Sequence, residues 1–178
     1  MSFGAFIVYF ALLMIVPMWT QSRVKSTYKK YSKVPTSSAM TGAQVARNIL
    51  NNNGLFDVRI EEVQGVLSDH YDPRSKVVRL SSNNYHGHSM AAAAVAAHEV
   101  GHAIQDAEEY GFLKFRTALV PLASFGSNTA FIVILAGILL NAMNLVLLGV
   151  IFMSFAVLFQ LVTLPVEVNA SSRAMDQR

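Results

Sequence analysis

Two histidines and a glutamate in the run His98-Glu99-Val100-Gly101-His102 could together hold a metal ion and activate a water molecule. The run fits the pattern H-E-x-x-H. On a helix, residues four apart lie one turn apart on the same face, so both imidazoles can point at one ion. Glu99 can then take a proton from the water. This is the arrangement for zinc-assisted hydrolysis of a peptide bond, with His98 and His102 as ligands and Glu99 as the base.

The same five residues also occur on solvated helix faces that bind no metal. The surrounding sequence favours a metal site. Ser89 is a good helix cap, and the alanine-rich run from Met90 to Ala97 has high helix propensity and little side-chain bulk, so it can pack closely on every side. The ionisable residues then fall at the end of an apolar rod, where buried imidazoles and a buried carboxylate need partners such as a metal ion.

The composition indicates a membrane protein. Of the 178 residues 53 % are hydrophobic and only 14 % are charged, against about 25 % charged in ordinary soluble domains. The apolar residues concentrate in three blocks. The net charge is +3, and the basic residues cluster after the first block, which indicates a topology signal and not a nucleic-acid site. With no cysteine, any metal must be held by His, Asp or Glu.

The three blocks predict transmembrane helices at 3–20, 117–140 and 145–164, with residues 21–116 as a cytoplasmic region. The first block lacks the basic start and small-residue cleavage site of a signal peptide. The basic residues that follow it predict a cytoplasmic flank and an outside N-terminus. An inside C-terminus is predicted by the basic residues on either side of the last two blocks, which are Lys114, Arg116, Arg173 and Arg178. We therefore expect one mainly α membrane domain over 1–178: three transmembrane helices plus a small cytoplasmic α+β region that carries the zinc helix.

Within the polar region, Thr41 predicts the cap of a helix from Gly42 to Asn53. Strand-like and turn-forming stretches follow from Asp57 to Ser81, and we expect a small antiparallel element there. The region is too short for a large core of its own and is expected to pack against the helices. Asn141 and Asn144 lie between the second and third blocks without a charge, which predicts a tight helical hairpin.

A catalytic zinc ion usually has three protein ligands and one open position. Outside the motif, the candidates for the third ligand are His70, His86, His88 and a carboxylate. The predicted hairpin returns to the cytoplasmic face near Leu164, and the first acidic residue after it is Glu167. This topology favours Glu167, with Pro165 in the first turn of a new helix. The alternative is an interfacial glutamate that pairs with Arg173 or is solvated.

Three segments together carry a resemblance to a known family. They are Ser68-Asp69-His70-Tyr71-Asp72-Pro73-Arg74, Ala96-Ala97-His98-Glu99-Val100-Gly101-His102-Ala103-Ile104-Gln105, and Leu164-Pro165-Val166-Glu167-Val168-Asn169-Ala170-Ser171. The chain resembles the YugP-type neutral zinc metallopeptidases of bacterial membranes over nearly its whole length. The resemblance implies a bacterial cell-membrane peptidase with one Zn²⁺ per chain, ligands His98, His102 and Glu167, and Glu99 as the catalytic base.

The layout is more distantly similar to the HtpX and Ste24 membrane peptidases, which also place a transmembrane hairpin between the zinc helix and the glutamate ligand. In those families an aspartate four residues after the glutamate supports a zinc histidine. Here that position is Ser171. We also expect members of the family to continue beyond Arg178 with a further helical segment.

The expected activity is an endopeptidase whose site faces the cytoplasm near the membrane surface. Expected partners are a peptide or membrane-protein substrate and the lipid bilayer, with a homo-oligomer or a membrane partner protein also open. Arg173 either stabilises the oxyanion or binds lipid headgroups, and the strand Val77–Leu80 could offer an edge to extended substrates. The competing class is a non-catalytic membrane scaffold, or a subunit of a protease complex, with a structural zinc site.

Overall fold

The computed structural model describes residues 3–176, except for the side chains at positions 3, 5–7, 9–10 and 12–14. Over this range helices and strands follow in the order α1 (Phe3–Tyr31), α2 (Gly42–Asn52), β1 (Arg59–Val63), β2 (His70–Asp72), β3 (Val77–Ser81), α3 (Ser82–Tyr85), α4 (Met90–Ala107), α5 (Gly111–Leu139) and α6 (Met143–Asp176). The predicted helix after Thr41 is confirmed. The Thr41 hydroxyl accepts from the Gln44 amide, and the Gln44 side chain accepts from the Thr41 amide, which is a complete capping box.

The three strands form one sheet in the order β1-β3-β2, and the expectation of a purely antiparallel element is wrong. β2 and β3 are an antiparallel hairpin, but β1 and β3 run parallel. The loop between β1 and β2 carries the chain across to the far side of β3, with left-handed backbone at Gly65 and Leu67. Alternating side chains look the same in parallel and antiparallel pairs, so the sequence pattern did not distinguish them.

The core of the polar region is built around α4. Its alanine-rich first half allows α2 and the sheet to approach closely, and Ala92, Ala96 and Val100 are fully buried. Leu50 of α2 and Leu80 of β3 pack into the same cluster. The opposite side of α4 packs against α6. α4 therefore connects the small α+β region to the long helices. The second half of α4 lies between that region and α6.

The long helices α5 and α6 form the tight hairpin that the sequence predicts. Asn141 makes the turn with a left-handed backbone, which asparagine tolerates better than most residues. The two helices are in close contact where α5 has glycine. A Cβ on Gly126 would lie 2.5 Å from the Phe152 carbonyl oxygen, and one on Gly137 would lie 2.7 Å from the Val146 amide nitrogen. Small residues at such crossings let apolar helices pack backbone to backbone.

The expectation that Pro165 begins a new helix is wrong. Pro165 lies inside α6, which continues without a break from the predicted third span to Asp176. A proline in a helix removes one backbone hydrogen bond, but long apolar helices packed against neighbours tolerate it. The segment that carries Glu167 is therefore a direct extension of the third apolar block.

Among the described residues, α5 and α6 are two helices long and apolar enough to cross a membrane. The predicted first span falls in the first two-thirds of α1, where several side chains lie outside the description. α1 continues past position 20 to Tyr31, so Arg23, Lys25, Lys29 and Lys30 are helical, and Lys33 lies in the turn that follows. A third membrane span stays a prediction.

Candidate metal centre

The motif lies in the second half of α4, where the helix packs against α6. His98 and His102 are one turn apart, and their ring centroids are 4.9 Å from each other. His102 is 7 % exposed and Glu99 is 8 % exposed. The His98 side chain is more open, at 27 %. The helical placement predicted from the spacing of four is therefore present, and the motif is not a solvated helix face.

Glu167 reaches the two imidazoles from α6. The approach depends on Gly101, the small residue inside the motif, because a Cβ there would lie 2.5 Å from the carbonyl oxygen of Ala170. No side chain fits between the two helices at that point. With the backbones this close, Glu167 Oε2 is 3.2 Å from His98 Nε2 and 3.5 Å from His102 Nε2.

The three side chains form a group that could hold a metal ion. One ligand atom from each of His98, His102 and Glu167 lies within 4.8 Å of the others. Two imidazole nitrogens and one carboxylate oxygen are a ligand set that zinc uses in hydrolases, where the fourth position stays open. The residues present therefore fit a zinc ion, and the structure brings together the three residues that the sequence singled out.

Gln105 orients His102 from behind. The Gln105 side-chain amide donates to the Val166 carbonyl and to Asn169 Oδ1, both at 2.8 Å. Its oxygen therefore faces His102 Nδ1, at 2.9 Å, and can only accept. His102 Nδ1 then carries the hydrogen, and Nε2 faces the metal position. Metal-ligating histidines commonly have such a partner, which sets the tautomer and the ring orientation.

Burial lowers the pKa of His102, but the hydrogen bonds to Glu167 and Gln105 outweigh it and leave that pKa above its ordinary value. The same position binds either a proton or a metal ion, since a ligating imidazole must be neutral at its coordinating nitrogen. A metal ion and a proton therefore compete for His102 Nε2.

Ser171 stands behind His98, at the position where the more distant families have an aspartate. Its hydroxyl oxygen is 3.2 Å from His98 Nδ1. A hydroxyl can accept the imidazole hydrogen as a carboxylate does, although without the charge. His98 thus has a polar neighbour on its Nδ1 side, and the partner is a serine.

Glu99 lies beside the group with its carboxylate largely shielded from solvent. Burial raises the pKa of Glu99, and the neighbouring imidazoles of His102 and His98 act in the opposite direction. A carboxylate with a raised pKa is a better proton acceptor near neutral pH than a solvated one.

A cavity of about 620 Å³ opens in front of the group. Its walls are the four side chains already described, the β2 strand with its flanking turns, and the first turns of α5. The prediction that Val77–Leu80 offers an edge is wrong: β3 is the central strand, with both sides paired and most residues buried. β2 is the strand that lines the cavity, and in this sheet it pairs on one side only.

The other histidines are not part of the group of ligand atoms, although His70 lines the cavity. His70 is on β2 and contacts the Ser68 carbonyl, while His86 pairs with Glu62 and His88 contacts the Ala39 carbonyl. Arg173, considered for the oxyanion or as a partner of Glu167, pairs instead with Glu108 and Asn169. It is absent from the described walls of the cavity.

Comparison with known proteins agrees with this geometry. Residues 6–177 match a family described as "Putative neutral zinc metallopeptidase". The chain belongs to this family. It is also 55 % identical over 156 residues to the "Putative membrane protease YugP" of Bacillus subtilis (strain 168), a match that covers 88 % of this chain and 69 % of that protein. No solved structure matches the chain.

Membership confirms the resemblance stated from the three segments, and the family's description implies zinc at a site where His98, His102 and Glu167 could hold it. The relative's name and the two apolar helices agree on a membrane-associated protein.

Sequence reasoning assigned no role to several residues at this centre. Gln105 contacts His102, and Asp69 accepts from the Ser81 amide at 2.7 Å and from Asn84 at 2.9 Å beside the cavity. Arg116 lines the cavity, although its place in the sequence predicts only a cytoplasmic flank. Each of these roles depends on a contact between distant segments.

Proposed function

We propose that this chain is a zinc-dependent membrane endopeptidase that hydrolyses peptide bonds near the cytoplasmic membrane surface. The observation that carries the proposal is the arrangement of four residues. His98, His102 and Glu167 converge on one point, and the buried carboxylate of Glu99 lies beside them at the wall of an open cavity. The metal ligands, the general base and the space for a substrate are therefore found at one place.

His98, His102 and Glu167 would hold the zinc ion in the proposed site. When bound, zinc polarises the peptide carbonyl and lowers the pKa of a water molecule towards about 7. Glu99 accepts a proton from the attacking water as the water oxygen bonds to the carbonyl carbon. The carbon–nitrogen bond then breaks, and Glu99 passes the proton to the leaving nitrogen. The products are a carboxylate and an amine.

The free edge of β2 is the proposed binding site for an extended substrate. β2 lines the cavity, and only its β3 side is paired in the described sheet. Backbone hydrogen bonds to an edge strand hold a peptide extended, as a scissile bond requires. Peptides methylated at successive backbone nitrogens test this proposal. If methylation at every second nitrogen lowers kcat/KM, the result supports pairing with β2. Equal cleavage of all the methylated peptides contradicts it.

The proposed position at the membrane surface rests on where the ligands lie along their helices. Glu167 follows the predicted third span by three residues, and α4 ends four residues before α5 begins. Ionised groups at the bilayer centre cost about 2.5–3.5 kcal/mol each on insertion scales. The depth of the metal site in the bilayer can be measured with a paramagnetic ion in place of zinc, from the relaxation that it causes in lipid probes at known depths. A metal near the bilayer midplane would contradict the surface position.

The competing function is a scaffold or protease-complex subunit with a structural zinc ion. A structural site is closed by four protein ligands and needs no base. Here the group of His98, His102 and Glu167 offers three ligands and faces a cavity, and Glu99 lies beside it. These features favour catalysis.

The test uses the purified chain in detergent. Metal analysis should find one zinc per chain, and a quenched fluorescent peptide library should be cleaved. Chelation should abolish cleavage, and added zinc should restore it. Zinc binding with no cleavage of any peptide would instead support the structural role.

A further inference from the structure

Arg116 is a cation in the wall of the catalytic cavity, near the start of α5. It shares that wall with His98, Glu99, His102 and Glu167. Its side chain is 32 % exposed and lies with its guanidinium 5.9 Å from the centre of the Phe159 ring. The ring contact and the partial burial restrict the guanidinium to the side of the cavity formed by α5 and α6.

Arg116 makes no hydrogen bond with the residues that the structure describes. Its Nη2 is 3.7 Å from Glu167 Oε1, an ion-pair distance and not a hydrogen bond. Its Nε is buried and has no hydrogen-bond partner among the described residues. A guanidinium carries five N–H donors, and buried polar atoms are normally paired. The two Nη groups carry the other four donors and make no hydrogen bond with the described residues, so at the cavity wall they are open to an acceptor that arrives with the substrate.

The geometry of Glu167 leaves Arg116 available for this acceptor. Oε2 of Glu167 faces the two imidazoles, and Oε1 faces Arg116. The guanidinium and the two imidazoles thus face different oxygens of the same carboxylate. A substrate carbonyl that enters the cavity beside the ligand group would have its oxygen near Arg116.

The other side-chain donors that the structure describes in the cavity wall are engaged or exposed. His70 is exposed, and its Nδ1 is 2.8 Å from the Ser68 carbonyl oxygen. The Tyr71 hydroxyl donates to Asp106 at 2.9 Å, and the Thr117 hydroxyl donates to the Leu113 carbonyl at 2.9 Å. Arg74 is exposed on the turn after β2. Arg116 is therefore the donor that is both half-buried and uncommitted at the metal position.

We propose that Arg116 is a catalytic residue that donates hydrogen bonds to the substrate carbonyl oxygen as that oxygen becomes negatively charged. The inference rests on the proposed peptidase function. As the water oxygen bonds to the carbonyl carbon, the carbonyl π electrons move onto oxygen, and a fixed cation stabilises that charge more than it stabilises the neutral carbonyl. Arg116 therefore acts mainly on kcat.

The experiment compares Arg116→Gln and Arg116→Lys with Lys114→Gln in the full chain in detergent. Lys114 is a matched control because it is on the same helix end, 57 % exposed, and pairs with Glu109. We expect Arg116→Gln to lower kcat by about 100- to 1,000-fold, as loss of an oxyanion donor does. KM, zinc content and thermal stability should stay near wild type. Arg116→Lys should recover part of kcat, and Lys114→Gln should change none of these.

Binding of a phosphinic peptide gives a readout that is independent of turnover. Its tetrahedral oxygens resemble the charged carbonyl, so calorimetry should show weaker binding to Arg116→Gln by a factor similar to the loss in kcat. An unchanged kcat, a change in KM alone, or a loss of activity explained by lost zinc would each overturn the role of Arg116. A wild-type chain that binds zinc and cleaves no peptide would instead refute the proposed function.

Discussion

At the residue scale, Glu99 and Glu167 differ in their surroundings in a way that suits them to different proposed roles. Glu167 Oε2 faces both imidazole nitrogens and is placed as a ligand. Glu99 is on the same helix as the imidazoles and is buried without such a contact, so burial raises its pKa. In the proposed mechanism Glu167 would bind the ion, and Glu99 is suited to carrying a proton.

We expect Glu99→Gln to keep zinc and lose hydrolysis. The amide has nearly the same shape as the carboxylate but cannot accept the proton of the water, so kcat should fall by at least about 100-fold. Zinc content and kcat are measured on the same preparation. Turnover at the wild-type rate would show that another group is the base.

A second prediction at this scale concerns Gln105. Gln105→Leu removes the acceptor behind His102 and leaves the Val166 carbonyl without its side-chain donor. Loss of such a partner typically weakens metal affinity by about 10- to 100-fold, and competition with a fluorescent zinc chelator measures it. Gln64→Leu, at an exposed position after β1, is the control. Equal zinc affinity in both variants would contradict the orienting role.

At the element scale, the contact between α4 and α6 decides whether the metal centre exists. Three of its four key residues are on α4, and the last one is on α6, more than sixty positions later. The two helices meet where Gly101 faces Ala170, without a Cβ between them. The distance between the helix backbones therefore controls the distance between Glu167 and the imidazoles.

Gly101→Ala should push the two helices apart and weaken zinc binding. The new methyl group would overlap the Ala170 carbonyl, at a cost of about 1–3 kcal/mol for overpacking. Zinc affinity and the Tm of the metal-free chain are both expected to fall. Gly111→Ala is the matched control, because a Cβ there meets nothing within 4 Å. A Gly101→Ala chain with wild-type zinc affinity would show that the close contact is dispensable.

At the scale of the whole molecule, the arrangement connects a small α+β region to the long apolar helices through α4 and α6. The site is assembled from both parts. The proposed orientation places this junction on the cytoplasmic side, where Arg23 and Lys33 flank the first apolar block and Arg116 precedes the second.

Single cysteines test this orientation, since the chain has none of its own. Cysteines in place of Ser37 and Ser68 should resist an impermeant thiol reagent in intact cells. One in place of Asn141, in the turn between α5 and α6, should react. Permeabilised cells control for accessibility, because all three should then be labelled. The reverse pattern in intact cells would overturn the orientation and the cytoplasmic site.

The sequence by itself determined the features that depend on local geometry. The spacing of four places His98 and His102 on one helix face whatever surrounds them, and Thr41 followed by Gln44 forms its capping box within one turn. Apolar length alone indicates α5 and α6 as candidate spans. The hairpin between them also brought Glu167 into consideration as the third ligand.

Only the tertiary structure decided which side chains meet between distant segments. The direction of β1, the choice of β2 as the edge beside the cavity, and the contacts of Gln105 depend on how separate elements pack. The two arginines show the same limit. Arg173 is close to Glu167 in sequence but pairs with Glu108, whereas Arg116 is distant in sequence and lines the cavity. Helix periodicity specifies a face, but the rotation and separation of packed helices follow from many contacts at once, such as the one at Gly101.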